Sequence, residues 1–340
     1  MSLYSRSPLT VVVGLTVLAF LLLLAYVLPA GFFNSEYTYT KVRTGSVADY
    51  EAYDRFPIGV DPEQKIIVEN PVVEWYVGEH LSIDINRSRE KKFIDKLFAN
   101  LSKSAIFQQL ASPMSRILVI YPGERREEVV KNFGDILKWN TKEREEFSTL
   151  ITTIEPVLVD GKFFPGRYTV PSKAKPSEVA ILVVEKFVTE ILARYDEEVA
   201  KQVPIEQALI IASLLEREAY DFADMRYISG IIWNRLFVGM PLQLDATLQY
   251  AKGSQSNETK WWPKVVPSDK YINSAFNTYE NVGLPPSPIA NPSLEAVVAA
   301  LNPKVTECMF YFHDTYGGFY CSKTYPEHVA KLKAVFGQGK

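Results

Sequence analysis

Residues 204–220 read PIEQALIIASLLEREAY, and they constrain this 340-residue chain more than any other segment. The segment is apolar on nearly every side when it is wound as a helix, which is typical of a helix buried inside a domain. Two acids interrupt it near its end. At about 100° per residue, Glu218 shares a stripe with Ile211, whereas Glu216 lies on the opposite side with Leu209. Each carboxyl group is therefore expected among aliphatic neighbours.

An apolar setting makes these two carboxyl groups candidates for a general acid. Desolvation disfavours the charged form and raises a carboxyl pKa, which suits a general acid that works near neutral pH. Either Glu216 or Glu218 could be that acid. The alternative is structural, because buried acids are usually paired, and the nearby arginines could form such ion pairs. These arginines are Arg217, Arg226 and Arg235.

The sequence that follows is rich in amide and hydroxyl side chains. They are Asn234, Gln243, Asp245, Thr247, Tyr250, Asn277, Thr278 and Tyr279. Clefts that bind hydroxyl-rich ligands need such partners together with aromatic faces. Aromatic faces are available from Trp261, Trp262, Phe276 and Tyr279. Loop polarity and core packing explain the same residues without a ligand, so both interpretations stay open.

Composition and missing motifs exclude several classes of function. The net charge is −3, and no run of lysine and arginine is interleaved with aromatic residues, so nucleic acid is not expected as a partner. Three histidines show neither HExxH nor any other metal-ligand spacing, and no GxSxG, Walker or GxGxxG motif occurs. We therefore expect no metal and no cofactor.

The N-terminal part carries a candidate membrane anchor. No charged residue occurs from residue 7 to residue 35, and the apolar run 9–28 is long enough to cross a hydrocarbon core of about 30 Å as a helix. A cleaved signal peptide is the alternative, but the run is longer than the usual apolar core of such peptides. Arg6 precedes the run and Glu36 follows it, so the bulk of the chain is expected outside the cytoplasm.

Composition shifts divide the rest of the chain, and we predict an α+β fold. The predicted segments are a cytoplasmic N-terminus (1–8), a transmembrane helix (9–29), a stalk (30–55), an α+β module (56–175) and a catalytic domain of helices and a hairpin (176–340). In the module, strands are expected at 65–69, 72–77 and 116–121 and helices at 91–101 and 126–139. In the second domain, helices are expected at 177–201, 204–220, 224–237, 293–301 and 325–336.

A hairpin is expected from strands at 309–313 and 318–322, and the sequence between residues 241 and 292 is rich in loops. Cys308 and Cys321 lie at this hairpin. In an exported domain they could be bridged, and two free buried thiols are the alternative.

Four motifs follow one another from residue 212 onward: ASLLEREA, IIWNRLFVGMPLQLDATLQYAKG, FNTYENVGLPPSPIANPS and AALNP. In this order they resemble the YceG-like family of endolytic murein transglycosylases. YFHDTYGGFYCSKTYPEH resembles the closing hairpin of that family, and VDGKFFPGRYTV resembles a landmark before its catalytic domain. About half of the chain is covered.

The resemblance implies an activity and its residues. The family cleaves the β-1,4 bond between N-acetylmuramic acid and N-acetylglucosamine and leaves a 1,6-anhydro-muramyl end. Its catalytic acid and base is the second glutamate of the E-x-E pair, which corresponds to Glu218. Gln243, Asp245, Asn277 and Tyr279 fall on the cleft motifs of the family, and the resemblance implies that they contact substrate. The expected partners are peptidoglycan glycan strands, the bacterial cytoplasmic membrane through one helix, and peptidoglycan synthases, with a part in terminating new strands.

The chain also departs from the family. Phe319 stands where the family usually has a histidine after the paired glycines. The LysM-like unit that often follows the anchor is matched only faintly, around residues 121–124. Two rival functions use the same cleft: a membrane-tethered scaffold that binds glycan without cutting it, and a hydrolytic muramidase in which water is the nucleophile.

Overall fold

Helices dominate the folded part of the chain, and three small antiparallel strand pairs accompany them. The computed structural model describes residues 55–80, 114–255 and 260–337. The helices of these ranges are α1 (Val72–His80), α2 (Arg126–Leu137), α3 (Thr141–Thr152), α4 (Pro176–Glu190), α5 (Glu197–Gln202), α6 (Ile205–Glu218), α7 (Phe222–Phe237), α8 (Asp245–Gly253), α9 (Leu294–Leu301) and α10 (Tyr325–Phe336). The strand pairs are β1 (Val60–Asp61) with β2 (Ile66–Ile67), β3 (Ser115–Ile120) with β4 (Gly166–Pro171), and β5 (Phe310–His313) with β6 (Phe319–Ser322). The predicted α+β class is confirmed for this part of the chain.

The expected membrane helix lies outside the described residues, as do the helix expected at 91–101 and the stalk up to residue 54. Within the three described ranges, no helix combines the length and the apolar character needed to cross a membrane.

The strand expected at residues 72–77 is wrong, because this segment opens α1. Asn70 begins the helix: its Oδ1 accepts the N–H of Val72 at 3.0 Å, and its carbonyl accepts the N–H of Val73. The buried side chains of α1 recur at spacings of three and four residues, at Val73, Tyr76 and Val77. A short apolar run fits a strand or a helix equally well, and here the cap at Asn70 favours the helix.

Two further helical segments differ from expectation. The helix expected across 177–201 is interrupted by a turn of 3₁₀ helix at Leu192–Arg194, after which Asp196 caps α5 through the N–H of Val199. The loop-rich stretch 241–292 contains α8, which the sequence did not predict. It is only nine residues long, and Leu244 before it provides no side-chain cap, so the sequence carries no clear start signal.

A first hydrophobic cluster lies between the β3–β4 pair and helices α2, α3 and α4. The two strands are antiparallel, with Ser115 opposite Pro171 and Ile120 opposite Gly166. The cluster includes Leu118, Ile120, Phe133, Phe147, Tyr168, Val170, Val179 and Val183. Because α4 supplies Val183 to this cluster and Phe187 to the next one, it packs in both. The domain boundary expected at residues 175 and 176 stays a prediction.

A second cluster surrounds α6. Every residue from 208 to 215 is buried, and the helix packs against α7, α8 and α9. Burying a large aliphatic side chain contributes about 1.5–3 kcal/mol, so this helix is a major source of stability. Two polar links cross the cluster: the indole N–H of Trp233 and the hydroxyl of Ser229, both on α7, donate to the carbonyl of Ala300 on α9 at 3.0 and 3.5 Å.

Asn291 joins three loops beneath the end of α6. Its side chain is fully buried. Its Oδ1 accepts the backbone N–H groups of Gly161 at 2.9 Å and Phe163 at 3.0 Å, and its Nδ2 donates to the carbonyl of Glu124 at 2.8 Å. Buried backbone groups need such partners, so this one amide anchors the loops at 121–125 and 160–163 to the loop that enters α9.

Candidate active site

Glu218 is the last residue of the buried helix α6. The chain leaves the helix immediately after it, since Ala219 has an extended backbone with φ −98° and ψ 154°. The Glu218 side chain is only partly buried, whereas the eight residues from 208 to 215 are wholly enclosed. A carboxyl group therefore stands at the point where an apolar helix reaches the surface.

Two donors from remote segments hold this carboxyl group. The hydroxyl of Tyr311 on β5 donates to Oε2 at 2.8 Å. The backbone N–H of Ala246, in the first turn of α8, donates to Oε1 at 3.3 Å. N–H groups at a helix start favour negative charge. One side of Glu218 thus faces the hairpin, and the other faces α8.

Burial raises the pKa of the Glu218 carboxyl above its ordinary value, and the nearby Asp245 carboxylate acts in the same direction. The hydroxyl of Tyr311 and the N–H of Ala246 favour the carboxylate and oppose part of that rise, as does His313. The influences on this carboxyl group therefore oppose one another, and the net effect is a raised pKa.

Glu216, the other candidate acid, is occupied by a helix start. Its Oε1 accepts the backbone N–H of Ser293 at 2.8 Å and also the Ser293 hydroxyl. Ser293 is the N-cap of α9, and its Oγ accepts the N–H of Ala296. Burial raises the pKa of Glu216 to about 7. These contacts tie α6 to α9 and give Glu216 a structural role.

The alternative in which arginines pair with these glutamates is not what the described contacts show. Arg226 bonds Glu74 and the carbonyl of Asn302. Arg217 lies over the ring of Trp262 at 3.9 Å, and Arg235 bonds backbone carbonyls.

Three of the expected substrate contacts lie on the α8 side of Glu218. The hydroxyl of Tyr279 donates to Asp245 Oδ1 at 2.7 Å. Gln243 is exposed and has a left-handed backbone, with φ 52°, and its N–H donates to the carbonyl of Thr278. The loop of residues 277–279 is therefore joined to the start of α8. This brings Gln243, Asp245 and Tyr279 together at the start of α8, next to the Ala246 N–H that donates to Glu218.

Asn277, the fourth expected contact, is fully buried. Its Nδ2 donates to the carbonyls of Lys270 and Ile272, both at 2.9 Å, and its Oδ1 accepts the N–H of Tyr279 at 3.0 Å. Both amide hydrogens are thus used inside the loop that carries Tyr279. Whether Asn277 touches substrate stays a prediction, and its observed contacts position Tyr279.

A buried guanidinium connects the two sides of Glu218. Arg235 on α7 donates through Nε to the carbonyl of Met309 at 2.7 Å, where the hairpin begins. Through Nη1 it donates to the carbonyls of Pro241 at 3.3 Å and Leu242 at 2.5 Å, which lead into α8. Five donors in a rigid planar group allow one arginine to organise three carbonyls. Arg235 therefore links the segments that deliver Tyr311 and Ala246.

The hairpin is tied down at both ends. Near its base, Cys308 and Cys321 form a disulfide with a Cα–Cα distance of 5.8 Å, so the bridged alternative is the one observed. At its far end, His313 Nε2 lies 2.7 Å from Asp224 Oδ2 on α7. These ties fix the strand from which Tyr311 reaches Glu218.

The other aromatic residues expected to face a ligand have protein partners. The indole N–H of Trp262 donates to Glu128 Oε2 at 3.0 Å. The ring of Phe276 lies 4.6 Å from that of Tyr250, and the carbonyl of Trp261 accepts from Arg125. These three residues connect the loop before residue 277 to α2 and α8.

Sequence reasoning missed Tyr311, the Ala246 N–H and the pair of His313 with Asp224. The alternation of a strand does place Tyr311 and His313 on one face of the hairpin. Nothing in that alternation relates the hairpin to Glu218, which lies 93 residues earlier in the chain.

The Glu216–Ser293 link predicts a pH-dependent stability. Glu216 binds its proton more tightly in the folded protein, with a pKa of about 7, than at the ordinary value of 4.5. Its contribution to stability is therefore complete below about pH 4.5 and is lost as the pH rises through 7. Glu216→Gln keeps an acceptor oxygen but cannot titrate. We expect the unfolding free energy of the variant, relative to the wild type, to rise by on the order of 2 kcal/mol between about pH 5 and pH 8.

Urea unfolding of both proteins at the two pH values measures this difference. Glu206→Gln, an exposed change on the same helix, is the matched control and should show no such trend. An equal pH dependence in Glu216→Gln and the wild type would contradict the prediction.

Comparison with known proteins places the site in a family. Residues 95–334 match the model of the YceG-like family. An endolytic murein transglycosylase of Bacillus subtilis (strain 168) is 34% identical over 179 residues, which are 52% of this chain and 48% of that protein. An endolytic murein transglycosylase of Streptococcus pneumoniae serotype 2 is 29% identical over 179 residues, which are 50% of this chain and 31% of that protein. The chain thus matches half or less of the length of these two relatives.

A solved structure supports the same relationship. The crystal structure of a protein of Listeria monocytogenes described as yceG-like superimposes with a TM-score of 0.54 and 28% sequence identity. The match covers 64% of this chain and 76% of that one. The resemblance seen in the sequence is confirmed, and the family match extends over more than half of the chain: this protein belongs to the YceG-like family.

Proposed function

We propose that this protein is a peptidoglycan lytic transglycosylase that cleaves glycan strands internally, with Glu218 as its only acid and base. It cuts the β-1,4 bond between N-acetylmuramic acid and N-acetylglucosamine and leaves a 1,6-anhydro-muramyl end. The observation that carries the proposal is the setting of Glu218. Its carboxyl group ends a buried helix, has a raised pKa, and accepts hydrogen bonds from Tyr311 and Ala246.

Protonated Glu218 gives its proton to the glycosidic oxygen, so the N-acetylglucosamine side leaves with a hydroxyl group. The resulting carboxylate then takes the proton from the 6-hydroxyl of the muramyl unit as that oxygen bonds to the anomeric carbon. The proton given in the first step is recovered in the second. No water is consumed, and no metal or cofactor is needed.

The Tyr311 hydroxyl and the Ala246 N–H have a function in these proton-transfer steps. When Glu218 has lost its proton, the Tyr311 hydroxyl and the Ala246 N–H stabilise the carboxylate until it accepts the next proton. A second catalytic carboxylate is not required, unlike in ordinary glycosidases. This agrees with the neighbouring acids, since Glu216 is held by Ser293 and Asp245 accepts from Tyr279.

Relatives named endolytic murein transglycosylases support the proposed chemistry, although the chain matches half or less of their length. We assign Gln243, Asp245 and Tyr279 to substrate contact on the α8 side of Glu218. Asn277 positions the loop of Tyr279, because its amide hydrogens donate to backbone carbonyls. Peptidoglycan synthases are proposed partners, and termination of new strands is the proposed physiological role.

The Glu218→Gln variant should lose glycan cleavage, because the amide can neither give nor take the proton. We expect a loss of at least about 10²-fold in rate, which is typical for removal of a positioned acid or base. The soluble part of the chain, from about residue 34 onward, is incubated with intact peptidoglycan, and the fragments are analysed by mass spectrometry. Anhydro-muramyl products should form with the wild type and not with the variant.

Two controls make this result specific. Glu206→Gln removes an exposed carboxyl group from the same helix and should leave product formation unchanged. Sedimentation with peptidoglycan tests whether Glu218→Gln still binds the wall. Reducing-end products would indicate a hydrolytic muramidase, and an inactive wild type that binds the wall would indicate a scaffold; either result contradicts the proposal.

Tyr311→Phe should move the pH dependence of cleavage in a defined direction. The Tyr311 hydroxyl lowers the pKa of Glu218 because it donates to the carboxylate. Without it, Glu218 keeps its proton to higher pH, so the alkaline limb of kcat/KM should shift to higher pH. The rate of anhydro-muramyl release over a series of buffers measures the limb. Tyr316→Phe, an exposed change in the same hairpin, should leave the limb in place. An alkaline limb that stays fixed or moves to lower pH in Tyr311→Phe would contradict the assignment of Glu218 as the acid whose pKa the Tyr311 hydroxyl lowers.

We also propose that residues 9–29 anchor the chain in the bacterial cytoplasmic membrane, with the folded part outside the cytoplasm. The uncharged segment supports an anchor, and the Cys308–Cys321 disulfide suits an oxidising compartment. We expect the full chain to sediment with membranes and to be digested by protease added to spheroplasts. The intact mass of the isolated protein should include residues 1–30. A mass that lacks them would identify a cleaved signal peptide instead.

A further inference from the structure

Four aromatic rings form a row along the hairpin side of Glu218. The ring of Tyr220 lies 4.7 Å from that of His313, which lies 5.5 Å from Phe319, which in turn lies 5.7 Å from Tyr227. Two of these residues come from β5 and β6, where His313 and Phe319 are cross-strand partners. The other two come from the segment that follows Glu218 and from α7. We call this set the aromatic row.

The two central rings of the aromatic row lie one ring away from the Glu218 carboxyl group. Tyr311, whose hydroxyl donates to Glu218 Oε2, has its ring centroid 6.2 Å from His313 and 6.1 Å from Phe319. The residues assigned to substrate contact above lie on the other side, where Ala246 bonds Oε1. Glu218 therefore stands between the start of α8 and the aromatic row.

Both ends of the row are open to solvent. The side chain of Tyr220 is 40% exposed and that of Tyr227 is 37% exposed, while the two central rings are partly buried. The row is also held in place, because His313 bonds Asp224 and the Cys308–Cys321 bridge closes the hairpin near its base. Exposed rings at both ends of a fixed aromatic row are a feature of binding sites.

The chemistry of the row matches sugar rings. A pyranose in the β-1,4-linked series presents C–H groups on its faces and hydroxyl or acetamido groups around its edge. Aromatic faces take the apolar side, and the tyrosine hydroxyls offer hydrogen bonds at the edge.

We propose that the aromatic row is a subsite for the N-acetylhexosamine units on one side of the bond that is cut. This inference rests on the proposed function and adds to it a second binding surface. The glycan strand then crosses Glu218, with one part beside Asp245 and Tyr279 and the other part on the row. Because the row lies outside the reacting atoms, it contributes binding and not chemistry.

Binding to a cleavage-deficient protein tests the row separately from catalysis. In the Glu218→Gln background, the dissociation constant is measured for glycan strands freed of their stem peptides. Tyr227→Ala should weaken binding roughly three- to tenfold, the usual worth of one aromatic contact. Tyr227→Phe keeps the ring and should bind much more like the parent. Tyr325→Ala removes another exposed tyrosine, on α10, and should have no effect.

A comparison of KM with kcat gives a second readout. With Glu218 intact, Tyr227→Ala should raise KM for long strands and leave kcat unchanged. The reason is that the lost contact stabilises the bound substrate and the transition state equally. Thermal melting checks that each variant is folded, and Tyr220→Ala at the other end of the row replaces Tyr227→Ala if the latter is not. Unchanged binding in both alanine variants would overturn the subsite, and so would a parent that does not bind stripped strands.

The two proposals fail in different ways. Loss of binding in Tyr227→Ala together with an inactive wild type would refute the enzyme and support the row. Normal cleavage with unchanged binding in the alanine variants would support the enzyme and refute the row.

Discussion

Burial of helix α6 is the constraint on which the rest of the structure depends. Its central residues, 208–215, have no polar side chain except Ser213, and they are enclosed by α7, α8 and α9. Carboxyl groups at the end of such a helix are costly unless they find donors. Glu216 finds them at the start of α9, and Glu218 finds them on β5 and at the start of α8. The packing of one helix thereby decides where three other elements must meet.

The donors of Glu218 are held in place by contacts within the protein. Arg235 holds both the start of the hairpin and the segment that enters α8, through hydrogen bonds to backbone carbonyls. The disulfide and the contact of His313 with Asp224 hold the hairpin near its base and at its far end. Groups that are held in this way need little reorganisation when charge develops, which is the main electrostatic contribution of an active site.

A single carboxyl group that must give and then take a proton needs a balance of opposing influences. Burial and the Asp245 charge favour the protonated form of Glu218, whereas Tyr311 and Ala246 favour the carboxylate. Apart from burial, these influences come from two segments outside α6, the start of α8 and strand β5. The surfaces on the two sides also differ in character. Asp245 and Tyr279 supply polar groups on one side, and the rings of the aromatic row lie on the other.

Local sequence was enough to predict α6, the hairpin, the family and the two candidate acids, because hydrophobic periodicity and ordered motifs are properties of short segments. It failed at residues 72–77, where six residues fit either period, and at α8, a short helix whose start at Leu244 has no side-chain cap to mark it. Periodicity alone could not separate Glu216 from Glu218. The family resemblance pointed to Glu218, and only the tertiary structure shows which partners each carboxyl group has. Periodicity shows that a side chain is buried but not which remote group faces it, and the hydroxyl that bonds Glu218 lies 93 residues away in the chain.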